Sequence, residues 1–581
     1  MTEISQTAGG LEQVDDRISL SGPTSRDRVF SDFDISSIPL EKEEWPVIIM
    51  GSSLVGMMTG LLLGYHGYRF RIKCVSFDRR PTILSHPRAT GINFRTAEIL
   101  RQIGLESRCR EESVREFDID SGMLVVEQMV GGKPGRTVQD HDPKLDQEMS
   151  PSQWLWLTQS MLEPILTEYA PKFGYSMELG KDIVHYEEQV DGVIVVVKDL
   201  ATNDLKKCKA KYMVACDGNR SATRRKEGID VEGQGVLSNS LNIRFKADLR
   251  TLLGDRARHG IIYITTPHIQ GAFRQEDRGK SGLLWVNSVD GRTEFPPGSV
   301  TEEDALNYLY ECSGLTKDAG LELQSFAHWT VASVTAERFS SKGGRVFIAG
   351  DAAHIMPPNG ALGGNTGCGD AHNLAWKLAY VLTGRADPSL LKSYQQERQP
   401  VDAFVVDQAT RRYWNRIFNK MPRDPEEPYY TVEIGHRYNK GAIVSDQDEN
   451  QHENFENPHE PSGHAGTRFP HVPLEREDGG IISTLDLVKH NFVLVVAEAD
   501  SPWIPASQAL KLTVDAYELH ETSHPYRDGV GKLREKVQLG VGEALLVRPD
   551  GFIAWRGKMI SHGHEEQLRR GLGQVLGKLP Q

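Results

Sequence analysis

The sequence predicts an α/β fold with three units: a dinucleotide-binding domain, a mixed β-sheet inserted into it, and a separate C-terminal α/β domain. The first unit is predicted by a strand, a glycine-bearing turn, a helix and a second strand between Val47 and Asp78. The second unit is predicted by alternating strand-like runs between about residues 180 and 345. The third unit is predicted by new strands that follow a polar stretch near residue 450.

Length, charge and cysteine content exclude several classes of protein. A chain of 581 residues is too long for one hydrophobic core, so two or three domains are expected. The net charge of -13 argues against a nucleic-acid partner, because a basic surface is needed to neutralise phosphates. The six cysteines lack CxxC spacing, which argues against a disulfide framework or a metal site and favours the cytoplasm. The sequence predicts no secretory signal and no membrane span.

Shifts in composition divide the chain into six segments. The stretch before Trp45 is polar and acidic, and the stretch around Ser445–His464 is equally polar, so both are predicted to lie outside the folded cores. The predicted segments are a flexible or surface-wrapping arm (1–44), the N-terminal portion of the nucleotide-binding domain (45–180), an inserted substrate-binding sheet (181–345, with a cofactor-binding segment near 212–225), the remainder of the nucleotide-binding domain with long helices (346–440), a linker (441–465) and the C-terminal domain (466–581).

The strand–turn–helix unit near the start has the form of a Rossmann-like βαβ element. Gly51, Ser53 and Gly56 occupy the glycine positions of a turn whose backbone N–H groups can hold a pyrophosphate at the helix N-terminus. Ser53 replaces the middle glycine and is expected to crowd that approach slightly. Asp78 ends the second strand, where its carboxylate can accept hydrogen bonds from a ribose, and the adjacent Arg79 is a further candidate cofactor contact. A plain α/β crossover remains the alternative interpretation of this unit alone.

Three further motifs follow in order: Arg88–Leu105 (RATGINFRTAEILRQIGL), Ala215–Arg224 (ACDGNRSATR) and Gly344–Asp370, which contains GDAAH and a glycine-rich loop. Together with the first unit, over about Pro46–Val401, they resemble the single-component flavoprotein aromatic hydroxylases, the group of para-hydroxybenzoate hydroxylase and phenol hydroxylase. The resemblance implies an FAD-binding domain. It also implies an enzyme that uses FAD, NADPH or NADH, and O2 to hydroxylate an aromatic substrate through a flavin C4a-hydroperoxide.

The resemblance also assigns roles to matching positions. Gly51 and Gly56 would lie at the FAD pyrophosphate and Asp78 at the adenosine ribose, although the family more often has Glu there. The other implied cofactor contacts are Arg88 at the phosphates, Gln159 at the start of a helix, Asp217 with Gly218 for both FAD and NAD(P)H, and Asp351 at the ribityl chain.

The glycine-rich loop after His354 has a physical logic of its own. Pro358, Gly363, Gly364 and Asn365 lie in it, and Asp370 is predicted to cap a helix that starts at Asn373. Open amides at a helix N-terminus stabilise negative charge, which reduced flavin carries on its pyrimidine ring. The loop is therefore predicted to favour flavin reduction.

The C-terminal region resembles the thioredoxin-like domain that the phenol hydroxylase branch carries. The matching pieces are Gly466–Val472 and Leu546–Arg556. No cysteine follows Cys368, so thiol–disulfide chemistry is excluded and a packing role or a homodimer contact is expected instead.

The catalytic residues are the least determined aspect of the prediction. Arg244 and Tyr263 lie on strands of the inserted sheet and could orient or activate a phenolate, although both could equally be ordinary strand residues. The substrate is predicted to be a phenolic or polyketide-derived small molecule. Oxidative decarboxylation and Baeyer–Villiger oxidation remain open, as does a non-catalytic protein that binds aromatic metabolites. A flavin halogenase is disfavoured, because Trp154-Leu-Trp156 lacks the Ile-Pro of the Trp-x-Trp-x-Ile-Pro motif.

Overall fold

The computed structural model describes residues 14–16, 30, 34–83, 90–118, 122–131, 135–138, 142–289, 295, 299–417, 424–446, 453–510, 512 and 514–579. Its elements in the N-terminal third of the chain are β1 (Val14–Asp16), β2 (Leu40–Met50), α1 (Leu54–His66), β3 (Cys74–Asp78), β4 (Thr90–Ile92), α2 (Phe94–Gln102), α3 (Glu106–Glu116), β5 (Met123–Val126), β6 (Arg136–Val138), α4 (Pro143–Met149), β7 (Leu155–Thr158), α5 (Gln159–Tyr169), β8 (Tyr175–Leu179), β9 (Lys181–Gln189), β10 (Gly192–Asp199) and β11 (Leu205–Ala215).

The middle of the chain continues with a second set of strands and then long helices. These elements are α6 (Ala222–Lys226), β12 (Val231–Lys246), α7 (Leu249–Leu253), β13 (Ile261–Thr265), β14 (Ile269–Glu276), β15 (Ser281–Val289), α8 (Glu302–Ser313), β16 (Glu322–Ala336), β17 (Val346–Ile348), β18 (His354–Ile355), α9 (Leu362–Leu382), α10 (Lys392–Ile417) and α11 (Tyr429–Ile434).

The first sheet has the strand order β8-β3-β2-β11-β10-β9, with β17 paired to β11. Strands β8, β3, β2 and β11 run parallel, as do β11 and β17. The run Val47–Met50 is buried on both faces, as a central parallel strand must be, because α1 and its neighbours cover the sheet. The βαβ unit thus forms as the sequence predicts, with α1 ending at His66 before Gly67.

The second, larger sheet has the order β1-β16-β12-β15-β14-β13-β5-β6, with β18 paired to β16. It differs in membership from the predicted inserted sheet of residues 181–345. Strands β9–β11 belong to the first sheet, because β11 pairs with β2 through Met213 and Ile48, and the larger sheet takes β5 and β6 from earlier in the chain. Alternation of apolar residues predicts a strand but not its partner, so the sequence pattern could not place them.

Two segments predicted to lie outside the cores make defined contacts. In the N-terminal arm, β1 pairs parallel with residues 327–329 of β16. In the predicted linker, Ala442 N–H donates to Glu397 Oε1 at 2.7 Å, and Val444 N–H donates to Ala554 O at 2.8 Å. The described residues of the linker therefore pack between the flanking domains. Polar composition does not report the backbone partners that hold such a segment.

The C-terminal region forms β19 (Pro473–Arg476), β20 (Ile481–Ser483), β21 (Phe492–Val496), α12 (Trp503–Gln508), β22 (Val514–Glu518), β23 (Tyr526–Arg527), α13 (Lys532–Lys536), β24 (Ala544–Val547), β25 (Ile553–Gly557) and α14 (His564–Leu576). Its main sheet has the order β22-β21-β24-β25, parallel between β21 and β22 and antiparallel beyond. This arrangement agrees with the predicted thioredoxin-like domain. Among the described residues, no helix combines the length and the apolar run needed to cross a bilayer.

Candidate cofactor and substrate site

The glycine turn between β2 and α1 leaves no room for side chains at two positions. Gly51 has a φ of +99°, and a Cβ there would lie 2.5 Å from Cys216 O at the end of β11. A Cβ on Gly56 would lie 2.0 Å from Gly51 O. The helix therefore starts tightly against the strand ends, and its first-turn amides point out of the turn without helical acceptors.

Ser53, which replaces the middle glycine, is held away from the turn by α5. Its hydroxyl donates to Glu163 Oε1 at 2.8 Å and accepts from Gln159 Nε2 at 2.6 Å. Gln159 is the first residue of α5, as predicted from the sequence. The serine side chain is thus engaged by α5, which leaves the amides of the turn available to a phosphate.

The acidic residue at the end of β3 is buried and already charged. Asp78 accepts from Ser52 N–H at 2.8 Å and from the Arg80 guanidinium at 2.7 Å. Burial opposes ionisation, but the bonds from Arg80 outweigh it and hold the pKa of Asp78 below its ordinary value. Arg79 is exposed, so the cation beside Asp78 is Arg80. Arg88 lies outside the described residues.

The Asp217–Gly218 motif follows the end of β11. Asp217 Oδ2 accepts from Thr223 N–H at 3.0 Å, while Oδ1 is buried without a hydrogen-bond partner among the described residues. Gly218 adopts a φ of +79°. Arg224 donates to Ala352 O at 2.9 Å and so joins this motif to the 3-10 turn that exposes Asp351.

The glycine-rich segment after His354 is more helical than predicted. Helix α9 starts at Leu362 rather than Asn373, so the prediction that Asp370 caps it is wrong. Glycine disfavours helices, which made the segment look like a loop. Here glycine is required for packing, because a Cβ on Gly367 would lie 2.5 Å from Val55 Cγ2 of α1.

Asp370 instead lies inside a buried network of charges. It accepts from Gly350 N–H at 3.0 Å, from Arg398 Nε at 2.9 Å and from His354 Nε2 at 2.9 Å. Arg398 also donates to Asp402 at 2.6 Å. Burial favours neutral His354, but the two nearby aspartates outweigh it and raise the pKa of His354. Residues 350–354 are therefore fixed to α9 and α10 by ionic bonds.

Asn365 connects the first turn of α9 to β4. Its Nδ2 donates to Gly91 O at 3.0 Å and Ala361 O at 2.7 Å, and its Oδ1 accepts from Asn93 N–H at 3.1 Å. In the same segment, Pro358 is exposed, and Gly363 and Gly364 are half-buried. The N-terminal amides of α9 and strand β4 thus form one continuous polar edge.

Together these groups suit FAD, which combines a pyrophosphate, a ribityl chain, a ribose and two flat ring systems. Three features match the donors and acceptors of that molecule. They are a turn that admits only glycine, a buried carboxylate at a strand end, and an unpaired buried oxygen on Asp217. The amides at the start of α9 match a group that gains negative charge. The roles of the individual side chains stay predictions.

A buried carboxyl, Glu433 of α11, lies directly behind β4. It accepts from Phe94 N–H at 3.3 Å and from Trp154 Nε1 at 3.2 Å. Burial raises the pKa of Glu433 to about 8, so this side chain holds a proton at neutral pH.

Because Glu433 keeps a proton in the folded state, we expect the free energy of unfolding of the protein and of its Glu433→Gln variant to depend differently on pH. Between the unfolded pKa, about 4.3, and about 8, the unfolded chain loses the Glu433 proton while the folded chain keeps it. Stability from this group is thus greatest at low pH and declines as pH rises. From pH 5 to pH 7 the variant should gain roughly 2–3 kcal/mol relative to the parent in urea denaturation. The exposed Glu460→Gln is the control, and parallel pH curves for the parent and Glu433→Gln would contradict the assignment.

The larger sheet has one covered face and one open face. Ile243, Ile262, Phe273 and Leu284 pack with α8 in a hydrophobic core. Because side chains alternate along a strand, the residues between them lie on the opposite face. Register places four of these in one row across the sheet: Asn242, Trp285, Ala272 and Tyr263.

Both sequence-predicted catalytic candidates lie on this open face. Tyr263 is half-buried in the central row, and its hydroxyl makes no hydrogen bond within the described residues. Arg244 lies one row further on, across Leu283 from Arg274. Arg274 is buried, bonds Glu276 at 3.0 Å and lies 5.0 Å from the centre of the Trp285 ring. Tyr263 is thus the better placed of the two for a ligand on the row of Asn242 and Trp285.

Two other elements border the open face. A Cβ on Gly260, just before β13, would lie 1.8 Å from the ring of Trp156 on β7. On the other side α10 crosses the sheet, where Ser238 Oγ and Tyr413 OH are 2.5 Å apart and Ser333 Oγ and Thr410 Oγ1 are 2.7 Å apart. Since β7 pairs with β4, and β18 pairs with β16, the polar edge of the cofactor site adjoins this face.

Arg412 is a candidate that the sequence prediction missed. It is buried on α10, and Nη2 donates to Glu427 O at 3.0 Å. Its Nη1 has no hydrogen-bond partner among the described residues and would lie 3.4 Å from a Cβ on Gly360, in the loop before α9. The sequence did contain a signal that Arg412 is buried, because at helical spacing it lies on the same apolar stripe as Val401 and Val405.

Comparison with known proteins agrees with this site. A family model described as an FAD binding domain matches residues 44–409, and one described as aromatic-ring hydroxylase, C-terminal, matches residues 462–578. A 4-methyl-5-nitrocatechol 5-monooxygenase of Burkholderia sp is 36% identical over 549 residues, 92% of this chain and 98% of that protein. Tetracenomycin A2 monooxygenase-dioxygenase of Streptomyces glaucescens is 33% identical over 572 residues, 93% of this chain and 98% of that protein.

Among solved structures, a ternary complex of aklavinone-11 hydroxylase with FAD and aklavinone matches with a TM-score of 0.84 at 30% identity, over 93% of this chain and 100% of that chain. Fold and site therefore define an FAD-dependent monooxygenase. The chain belongs to the aromatic-ring hydroxylase family of such enzymes, which confirms the fold class and the cofactor predicted from the sequence.

Proposed function

We propose that this enzyme binds a phenolic aromatic compound against the open face of the larger sheet and hydroxylates its ring, with NADPH and O2 as co-substrates. The observation that carries the proposal is the row of Asn242, Trp285 and Tyr263, which offers an aromatic surface and polar groups beside the cofactor site. Asn242 Oδ1 is buried there without a partner among the described residues. A buried unpaired acceptor is costly unless a ligand satisfies it.

The relatives indicate the kind of phenol. The relatives quoted above are named for a nitrocatechol, for tetracenomycin A2 and for aklavinone. We extend this chemistry to the present chain as a proposal for a catechol or a polyketide-derived phenol. The half-buried Trp285 and the Trp154–Trp156 pair, whose ring centres are 4.5 Å apart and whose planes meet at 68°, supply the apolar aromatic surroundings that such rings require.

In the proposed mechanism FAD supplies the chemistry of oxygen activation and transfer. The protein orients the ring and manages one proton. The Tyr263 hydroxyl donates a hydrogen bond to the phenolic oxygen of the substrate and so favours loss of the phenol proton to water, which makes the ring electron-rich. Arg412 Nη1 holds the resulting negative charge by a charge-assisted hydrogen bond. Trp156 and α10 exclude water from the two sides of the open face.

The decisive experiment is anaerobic reduction of the purified protein by NADPH, with and without a panel of catechols and polycyclic phenols. Flavin bands that bleach faster with one compound, followed in air by a product that carries one additional ring hydroxyl, are the expected result. A product that has lost carbon dioxide would show that the reaction is an oxidative decarboxylation. A product with an oxygen atom inserted into its ring would show that it is a Baeyer–Villiger oxidation. Tight binding of a phenol with no NADPH oxidation would favour a protein that only binds aromatic metabolites.

Substitutions at the two proposed groups should lower turnover without unfolding the protein. Tyr263→Phe and Arg412→Met each remove a hydrogen bond to a charged group, worth roughly 1.5–3 kcal/mol, so kcat should fall about 10- to 100-fold. The pH at which kcat is half-maximal should rise, because the phenol loses help in ionising. The measurement is a kcat–pH profile with saturating NADPH.

Matched controls separate a local role from general damage. Tyr308→Phe removes a hydroxyl from the covered side of the sheet, and Arg411→Met removes the neighbouring, more exposed arginine. Both should keep the parent kcat within about twofold. If Tyr263→Phe behaved like Tyr308→Phe, the proton-handling role of Tyr263 would be wrong.

We also propose a cytoplasmic location, NADPH as the reductant with NADH as the alternative, and a homodimer. All six cysteines are free thiols, which suits a reducing compartment. Comparing the rates of flavin reduction by NADPH and by NADH tests which reductant the enzyme uses. Sedimentation of the holoenzyme tests the oligomeric state.

A further inference from the structure

Helix α2 of the FAD-binding domain presents one polar face to the C-terminal domain. Residues 95, 98 and 102 are spaced by three and four and so lie on the same side of the helix. All three contact the C-terminal domain through hydrogen bonds or ion pairs, one at Arg468 and two at the turn of residues 548–552. The side chains concerned are Arg95, Glu98 and Gln102.

The ionic contact at the middle of the helix is buried on both sides. Glu98 accepts from Arg468 Nε at 3.0 Å and from a second nitrogen of the same guanidinium, and from Ser150 Oγ at 2.7 Å. The side chains of Glu98 and Arg468 are 4% and 6% exposed. A bidentate, dry ion pair of this kind fixes orientation as well as distance.

A tight turn of the C-terminal domain, residues 548–552, makes the other two contacts. Arg95 Nη2 donates to Asp550 O at 2.5 Å, and Gln102 Nε2 donates to Pro549 O at 2.8 Å. The same turn also reaches α9, since Trp376 Nε1 donates to Asp550 Oδ2 at 3.0 Å. One turn therefore sets the spacing of α2 and α9.

Both helices begin at the cofactor site. Asn93 caps α2 by accepting from Thr96 N–H at 3.0 Å, and its own N–H donates to Asn365 in the first turn of α9 at 3.1 Å. Asn365 in turn bonds Gly91 of β4. A shift of α2 along its axis would therefore move the polar edge formed by β4 and the start of α9.

We propose that the C-terminal domain is a positioning element of the flavin site, acting through Arg468 and the 548–552 turn on the start of α2 and α9. It contributes no group to the reaction. Its role is to hold Gly91–Asn93 and Asn365 in the relative positions that the cofactor requires. This inference concerns cofactor binding by the family fold and does not depend on the identity of the substrate.

Another contact between the same helix and the same domain provides the matched control. Arg101 donates to both oxygens of Asp486 at 2.7 and 2.9 Å, in a partly exposed contact that involves neither Arg468 nor the 548–552 turn. If the domain serves only as a scaffold, Arg101→Met and Arg468→Met should differ in stability alone. If it positions the flavin site, only Arg468→Met should change how FAD is held.

The test measures FAD binding to the full-length apoprotein by quenching of flavin fluorescence, together with the visible spectrum of bound flavin and the melting temperature. Arg468→Met should raise the Kd for FAD about tenfold and shift the flavin bands, whereas Arg101→Met should keep the Kd within twofold. A lower melting temperature in Arg468→Met with the parental Kd and spectrum would overturn the proposal. No substrate is present, so the result is independent of whether the proposed hydroxylation holds.

A second variant tests the same interface in case Arg468→Met fails to fold. Gln102→Leu keeps the volume of the side chain but removes its bonds to Pro549 O and to His372 Nε2. It should raise the Kd for FAD by about threefold to tenfold without changing the charge of the interface. A parental Kd in Gln102→Leu, with Arg468→Met insoluble, would also count against the positioning role.

Discussion

Replacing Arg398 with methionine is expected to cost about 3–5 kcal/mol in free energy of unfolding, the usual cost of breaking a buried ion pair. Arg398 is 2% exposed and bonds Asp370 Oδ1 at 2.9 Å and Asp402 Oδ1 at 2.6 Å. Removing the guanidinium leaves two carboxylates buried next to each other with only His354 to compensate them. The loss should appear in urea denaturation of the holoenzyme at pH 7.

The double variant Arg398→Met/Asp402→Asn should recover some of this loss. Burial, helped by the nearby Asp370 carboxylate, raises the pKa of Asp402 well above its ordinary value, so folding disfavours its ionised form and a neutral asparagine avoids that cost. Arg411→Met, on the same helix but paired with exposed Asp407, should cost less than about 1 kcal/mol. A loss below about 1 kcal/mol in Arg398→Met itself would mean that the network contributes little to the fold.

The neighbouring residue on α10 extends this network to the C-terminal domain. Glu397 accepts from Lys377 Nζ and from Arg548 Nη2, each at 2.8 Å, and all three side chains are fully buried. Glu397 and Arg398 thus connect α9, α10 and the C-terminal domain from adjacent positions in the chain. Domains linked through buried charges are expected to unfold together, which explains how a remote domain can influence the flavin site.

The sequence predicted those features of the cofactor site that depend on local rules. Gly51 and Gly56 were identified because a turn between a strand and a helix that approaches other backbone must lack side chains, and the steric distances agree. Gln159 was placed correctly at a helix start. Such features need only the residues next to them in the chain.

The features that the sequence did not predict depend on distant partners. Helix α9 looked like a loop because Gly363, Gly364 and Gly367 disfavour helices, and only contact with α1 explains Gly367. The contact of Arg80 with Asp78 depends on the direction of the chain after β3, and the sequence alone did not indicate it. Arg412 and the interface of α2 with the C-terminal domain join residues that no sequence pattern pairs.

Gly56→Ala is expected to give a protein that does not retain FAD. The new methyl group would lie 2.0 Å from Gly51 O, and backbone atoms cannot rotate away as a side chain can. Overpacking of this kind costs about 1–3 kcal/mol, and here the strain falls on the turn and the first-turn amides that would hold the pyrophosphate. The purified variant should be colourless, with its affinity for FAD reduced about 10- to 100-fold.

Gly529→Ala is the matched control, because a Cβ at that position meets no atom within 4 Å and its φ is not in the left-handed region. It should purify yellow with the parental Kd for FAD. If Gly56→Ala also purified yellow with an unchanged Kd, the turn would have to accommodate the methyl group by moving α1 as a whole. The close approach of Gly56 to Gly51 would then not be a requirement for cofactor binding, and the site would have to be sought at the α9 end, where Asn365 meets β4.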